Sequence, residues 1–205
     1  VIRPYDLEWM RYAKSKGLKI CSVIHMVAKQ TPEELKAICE ATVRDGKGLI
    51  DVFELGNEPN NFGGWRKKYS GPWNGKEKDN STSPWVKAHL KMTNLAAETI
   101  RKAKPDAIII GCGSPTPVNH RQLELGLSKE VDGISDHPYS YCMPPEKFPF
   151  NARMLKRDGV IVADEEGSFE SFIKCYIEKF KKTGKMRTLW FTEFGFSTFA
   201  FDGSN

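Results

Sequence analysis

The 205-residue chain is 40% hydrophobic and 28% charged, with a formal net charge of +5 at pH 7, which describes a globular domain rather than a disordered or membrane-embedded chain. It holds no run of about 18 apolar residues, which excludes a transmembrane helix. Its basic residues (Lys67-Lys68, Lys76, Lys78, Lys181-Lys182) are interleaved with acids rather than gathered in a stripe, which argues against nucleic-acid binding. The chain opens Val1-Ile2-Arg3-Pro4, without Met, so the natural start is expected upstream and no compartment follows from the sequence. Cys21, Cys39, Cys112, Cys142 and Cys175 fall at no metal-like spacing, and an odd number cannot all pair internally. Buried free thiols are expected on the strands and helices, with Cys142 in a loop as the reactive candidate.

Helix-like and strand-like segments then alternate along the chain. Asp6 can cap a helix expected to carry Leu7, Met10 and Ala13 inward and to stop at Gly17. Residues 18–24 read as a strand that ends at His25. Thr31-Pro32-Glu33-Glu34 combines an N-cap, a proline at the first helical position and a capping-box glutamate. Leu35, Ile38, Cys39 and Val43 supply that helix's apolar face. A strand over 49–55 runs into Gly56-Asn57-Glu58-Pro59.

A polar and aromatic loop over 60–82 ends at Ser83-Pro84, a second cap and N1 pair, and a helix follows to Lys104. Residues 107–110 are a short apolar strand of the buried parallel type. Its exit, Gly111-Cys-Gly-Ser-Pro-Thr-Pro117, lacks the third glycine of a dinucleotide-binding turn and is filled with prolines, so that reading is rejected. A short helix near 122–127 precedes a strand over 131–135, which ends in Asp136-His137-Pro138-Tyr139. A second long loop covers roughly 140–164. Phe169, Phe172, Ile173, Tyr176, Ile177 and Phe180 at three-four spacing form the most periodic helix of the chain. Residues 188–192 are the last strand, reaching Glu193 and then Phe194-Gly-Phe-Ser-Thr198.

Five strands, each followed by a helix or the chain end, predict a single α/β domain over 1–205 with a parallel sheet covered by helices. Polar residues gather where strands end, as in an eight-stranded β/α barrel and equally at the switch point of a doubly wound sheet. Two glutamates leave the ends of different strands. Glycosidic cleavage requires such a pair, one carboxyl protonated and one ionised on opposite sides of a single bond.

Gly56-Asn57-Glu58-Pro59 resembles the acid/base motif that clan A glycoside hydrolases place after the fourth strand of a TIM (β/α)8 barrel. Phe191-Thr192-Glu193-Phe194-Gly195 resembles their nucleophile motif after the seventh. Two strands lie between, and His25 and His137-Pro-Tyr139 match the family's histidine after strand three and His-x-Tyr after strand six. The resemblance implies strands three to seven of such a barrel and a retaining hydrolase of a β-linked glycan. It implies Glu58 as acid/base, Glu193 as nucleophile, Asn57 on the sugar 2-hydroxyl and Tyr139 on Glu193, with His25 and His137 lining the sugar. The carboxyls are expected about 5–5.5 Å apart.

Trp65 and Trp73, beside Tyr69 and Trp85, are candidate platforms for sugar rings, the other reading being that they pack the loop onto the barrel. Asn80-Ser81-Thr82 is a glycosylation sequon. Neither metal nor cofactor is implied, and the expected partner is an oligo- or polysaccharide. An extracellular or periplasmic setting follows from the resemblance alone. The first two strands and the eighth are absent, with an arginine and a tryptophan that relatives carry there, and Arg3 lies too near the first helix to replace that arginine. The missing strands are expected from unrecorded sequence or another chain. The competing expectation is a degenerate barrel that binds sugar, or acts as a scaffold, without turnover. A transglycosylase would use the same intermediate.

Overall fold

The computed structural model describes residues 4–141, 143–148 and 159–196. Helix α1 (Pro4–Ser15) leads into β1 (Cys21–Ile24), α2 (Pro32–Asp45), β2 (Val52–Leu55), a short α3 (Trp65–Tyr69) and the long α4 (Pro84–Ala103). Then come β3 (Ile108–Ser114), α5 (Thr116–Glu124), β4 (Gly133–Asp136), α6 (Phe169–Lys182) and β5 (Thr188–Phe191). Cys142, Arg3, Ser197 and Thr198, about which the sequence raised expectations, lie outside the described residues, as does part of the loop over 140–164.

The sheet has the order β1-β2-β3-β4-β5 with every neighbouring pair parallel. Among the described residues strand order never reverses and no switch point occurs, which argues against the doubly wound alternative. The sheet is also strongly curled. β2 and β5 stand three strands apart, about 14 Å in a flat sheet. Yet the Thr192 hydroxyl at the end of β5 lies 2.8 Å from Glu54 Oε1 on β2. Glu54 and Thr192 therefore share the concave face of a barrel arc. Phe53, Leu55 and Ile109 point the other way and are buried under the helices with Leu35, Ile100 and Phe172. Among the described residues, β1 and β5 each keep one open edge.

Local chemistry sets the elements. Thr31 Oγ1 accepts from Glu34 N at 3.1 Å while Glu34 Oε2 accepts from Thr31 N at 2.8 Å, the reciprocal capping box expected of that sequence. Two expectations need correction. β3 runs on through Gly111, Cys112 and Gly113, so the glycine-rich stretch is strand rather than exit loop. Helix α5 begins at Thr116, not near 122, because Pro117 occupies its first turn, where a missing N–H costs nothing. Strands β1 and β2 also start about three residues later than the hydrophobic runs suggest. Leu18 is exposed, and Ile50 instead packs into the core.

Beneath β4 lies a buried polar cluster. Asp136 accepts from Thr116 Oγ1, Asn119 Nδ2 and the Tyr176 hydroxyl. Burial pushes its carboxyl up to about 6, with those three donors opposing the rise. Cys39 and Cys112 are buried as expected, and burial pushes both thiols up to about 12, which makes them inert. Cys21 departs from expectation: it is exposed on the edge strand.

Candidate active site

All the chemistry-bearing residues leave the carboxyl ends of the strands. After β2 the chain turns sharply, with Gly56 at φ 84 and Glu58 itself at φ 40, in the left-handed region a non-glycine residue rarely occupies. The turn is held in place. Glu58 N donates to Gly113 O at 2.7 Å, and Asn61 N and Phe62 N both donate to Glu58 O at 2.8 Å. Gly56 has to lack a side chain, since a Cβ there would carry a left-handed penalty and press on His89 Nε2 at 3.1 Å and Met26 Cε at 3.2 Å.

The turn aims the Glu58 carboxyl at His137. Glu58 Oε1 lies 3.4 Å from His137 Nδ1, and Oε2 accepts from Asn61 Nδ2 at 3.0 Å. From the end of β5, Glu193 Oε2 lies 3.6 Å from the same Nδ1 and accepts from the Tyr139 hydroxyl at 2.9 Å. One donor atom from each of Glu58, His137 and Glu193 falls within 4.8 Å of the other two. Donating to Glu193, followed by desolvation and the nearby negative charges, raises the Tyr139 pKa, so the phenol stays protonated as a donor. Glycine at 195 lets the Tyr139 ring lie against the backbone, with Cε1 only 3.1 Å from where a Cβ would stand. Ser140 N then donates to Gly195 O at 2.9 Å, joining the His-Pro-Tyr segment to the segment after β5.

The other expected residues divide. Asn57 precedes Glu58 in the same turn and is half-buried, and its side-chain amide holds no hydrogen bond among the described residues. Trp73 is 37% exposed and donates through Nε1 to Asn61 Oδ1 at 2.9 Å, which ties it through Asn61 to Glu58. Trp65 must be corrected. It is 2% exposed, its Nε1 donates to Met26 O, and its ring stands edge-on to His89 at 5.0 Å, so it anchors the loop and offers no face to a sugar. Trp85 is likewise buried and donates to Pro72 O. His25, at the end of β1, is exposed and lines a cavity of about 400 Å³ with Asp6, Met10 and Gln30. Among the described residues it makes no hydrogen bond to the carboxylates.

Three participants escape the sequence reading. Asn61 binds Glu58, Thr192 lies 3.2 Å from His137 Nε2, and Glu54 accepts the Thr192 hydroxyl. Glu54 left one signal, a carboxylate set among the apolar residues Val52, Phe53 and Leu55. Glu58, His137 and Glu193 are also, among the described residues, the group whose donor atoms could hold a metal ion.

No family model and no curated protein matches the chain. Solved structures do. A family 39 glycoside hydrolase from the gut symbiont Bacteroides cellulosilyticus WH2 superposes with a TM-score of 0.63 at 16% identity, covering 97% of this chain and 40% of that one. The beta-glycosidase BGL167 gives 0.56 at 16% identity, over 98% of this chain and 61% of that one. The GH39 enzyme from Xanthomonas axonopodis pv. citri gives 0.52 at 15%, over 95% and 40%. The chain thus spans less than two thirds of each of these three structures. At these identities the likeness shows the fold alone, part of a β/α barrel of the kind those glycoside hydrolases have.

Proposed function

We propose that these five strands are the larger part of the catalytic barrel of a retaining glycoside hydrolase acting on a β-linked glycan. The observation that carries this reading is the convergence of Glu58 and Glu193, from the ends of β2 and β5, to within 4.8 Å through their nearest donor atoms. Retaining enzymes hold their carboxyls about 5–5.5 Å apart, whereas inverting ones leave about 6.5–9.5 Å for a water.

In this reading Glu193 attacks the anomeric carbon as the bond to the leaving oxygen breaks, and Glu58 gives that oxygen its proton. Tyr139 occupies Oε2 of Glu193, which among the described residues leaves Oε1 for the attack. A water then enters, gives its proton to Glu58 and displaces Glu193 from the sugar, which restores both carboxyls. Asn57 bonds the sugar 2-hydroxyl in this reading, a contact that strengthens in the transition state. Trp73, joined to Glu58 through Asn61, serves the leaving-group side as a stacking face. The open edges of β1 and β5 are completed by strands from sequence beyond these 205 residues or from another chain.

The test is stereochemical. Proton NMR of fresh hydrolysis of a panel of aryl β-glycosides should show the β-anomer first, and Glu193→Gln should abolish turnover. An α-anomer first would establish inversion and overturn the nucleophile assignment. Sugar binding unchanged by Glu193→Gln, with no turnover in the parent protein, would support the non-catalytic reading instead.

A further inference from the structure

We infer that Glu54 and Thr192 act as positioning residues that fix the tautomer of His137 and so the carboxyl that can present it with a proton. The Thr192 hydroxyl has one proton and two neighbours, Glu54 Oε1 at 2.8 Å and His137 Nε2 at 3.2 Å. An ionised carboxylate can only accept, and hydrogen bonds to it are the stronger kind, so the proton points to Glu54. The Thr192 oxygen then turns a lone pair to His137, which must answer with Nε2–H. On a neutral ring this leaves Nδ1 bare.

Bare Nδ1 is the atom that faces both carboxyls, 3.4 Å from Glu58 Oε1 and 3.6 Å from Glu193 Oε2. It can accept a hydrogen bond only from a protonated carboxyl. Glu193 Oε2 is already the acceptor of the Tyr139 hydroxyl, so Glu58 is the group that supplies the proton. The opposite tautomer would present Nδ1–H to both carboxylates and favour two ionised groups, a pair with no acid in it. The relay Glu54–Thr192–His137 thus distinguishes two chemically identical side chains. Its consequence for turnover rests on the glycosidase reading, but the tautomer does not.

The experiment is ¹⁵N NMR of the imidazole rings in the full 205-residue chain at pH 7, without sugar. The chain has four histidines, and His137→Gln assigns the relevant pair of nitrogens. His137 should show Nε2 protonated and Nδ1 bare. Thr192→Val should lose that pattern in favour of Nδ1–H, Thr192→Ser should keep it, and Glu54→Gln should give a mixture. The buried rings of His89 and His120 report whether each variant keeps its core. Nδ1–H or an imidazolium in the parent protein overturns the inference, and so does Nε2–H surviving in a folded Thr192→Val. If that variant does not fold, the parent spectrum and Thr192→Ser decide. The relay found intact in a protein without turnover would remove the glycosidase reading alone.

Discussion

Tyr139 binds one oxygen of Glu193 and, among the described residues, leaves the other bare, so a single hydroxyl orients the carboxylate. Tyr139→Phe should lower kcat about tenfold to a hundredfold, the worth of a hydrogen bond to a charged group at roughly 1.5–3 kcal/mol. Steady-state kinetics would check it, and an unchanged kcat would make the contact incidental. Dialysis against a chelator should leave hydrolysis unaffected if the two carboxyls act alone. Lost turnover, restored by a divalent ion, would show that Glu58, His137 and Glu193 hold a metal. Glu58, Glu193, His137 and Tyr139 were readable because their types and order at strand ends match a known chemistry. Trp65 misled because a loop tryptophan suits a sugar platform and a loop anchor equally, and only burial separates them. Trp65→Ala should therefore cost stability, about 3–5 kcal/mol in denaturant melts, as for other buried large-to-small changes.

At the scale of elements, the sequence spoke most clearly where side chains bond their own backbone. Thr31 and Glu34 announced α2 and made the box. Thr31→Ala should cost about 1 kcal/mol, seen as a lower denaturation midpoint at unchanged m-value. Helix α5 was harder to place. Its first turn is Thr116-Pro117, which reads as loop punctuation until the structure sets Pro117 at N1/N2. β3 was cut short for a similar reason, since Gly111 and Gly113 suggest a turn, whereas here they let strand and loop backbones pass closely. The α3 turn within the first long loop carried no periodic signal at five residues.

For the whole molecule, order alone showed helices covering a parallel sheet, but not whether that sheet curled. A contact between residues as distant as Glu54 and Thr192 settles the curl. Buried ionisable groups then set the pH response. Burial lowers His89 to about 4 and His120 to about 3, so each is neutral in the fold and becomes harder to protonate than in the unfolded chain. The stability they contribute is complete above pH 6.5 and is lost as pH falls toward 4. For His89 the loss is about 3 kcal/mol at 1.36 kcal/mol per unit. Asp136, raised to about 6, works in the other direction, its cost easing as pH falls from 6 toward 4. Urea midpoints should therefore drop below pH 6.5. His89→Gln should flatten that drop and Asp136→Asn should steepen it, while parallel curves would contradict the assignment.

The central claim is that Glu193 is the nucleophile of a covalent mechanism. The most direct measurement is intact-protein and peptide mass spectrometry after incubation with a panel of β-configured fluoro-sugar and epoxide inactivators. A single sugar adduct on the peptide containing Glu193, absent from Glu193→Gln, is the predicted result, and its mass would also name the sugar. An adduct on Glu58 or another carboxylate, with Glu193 unlabelled, would contradict the account.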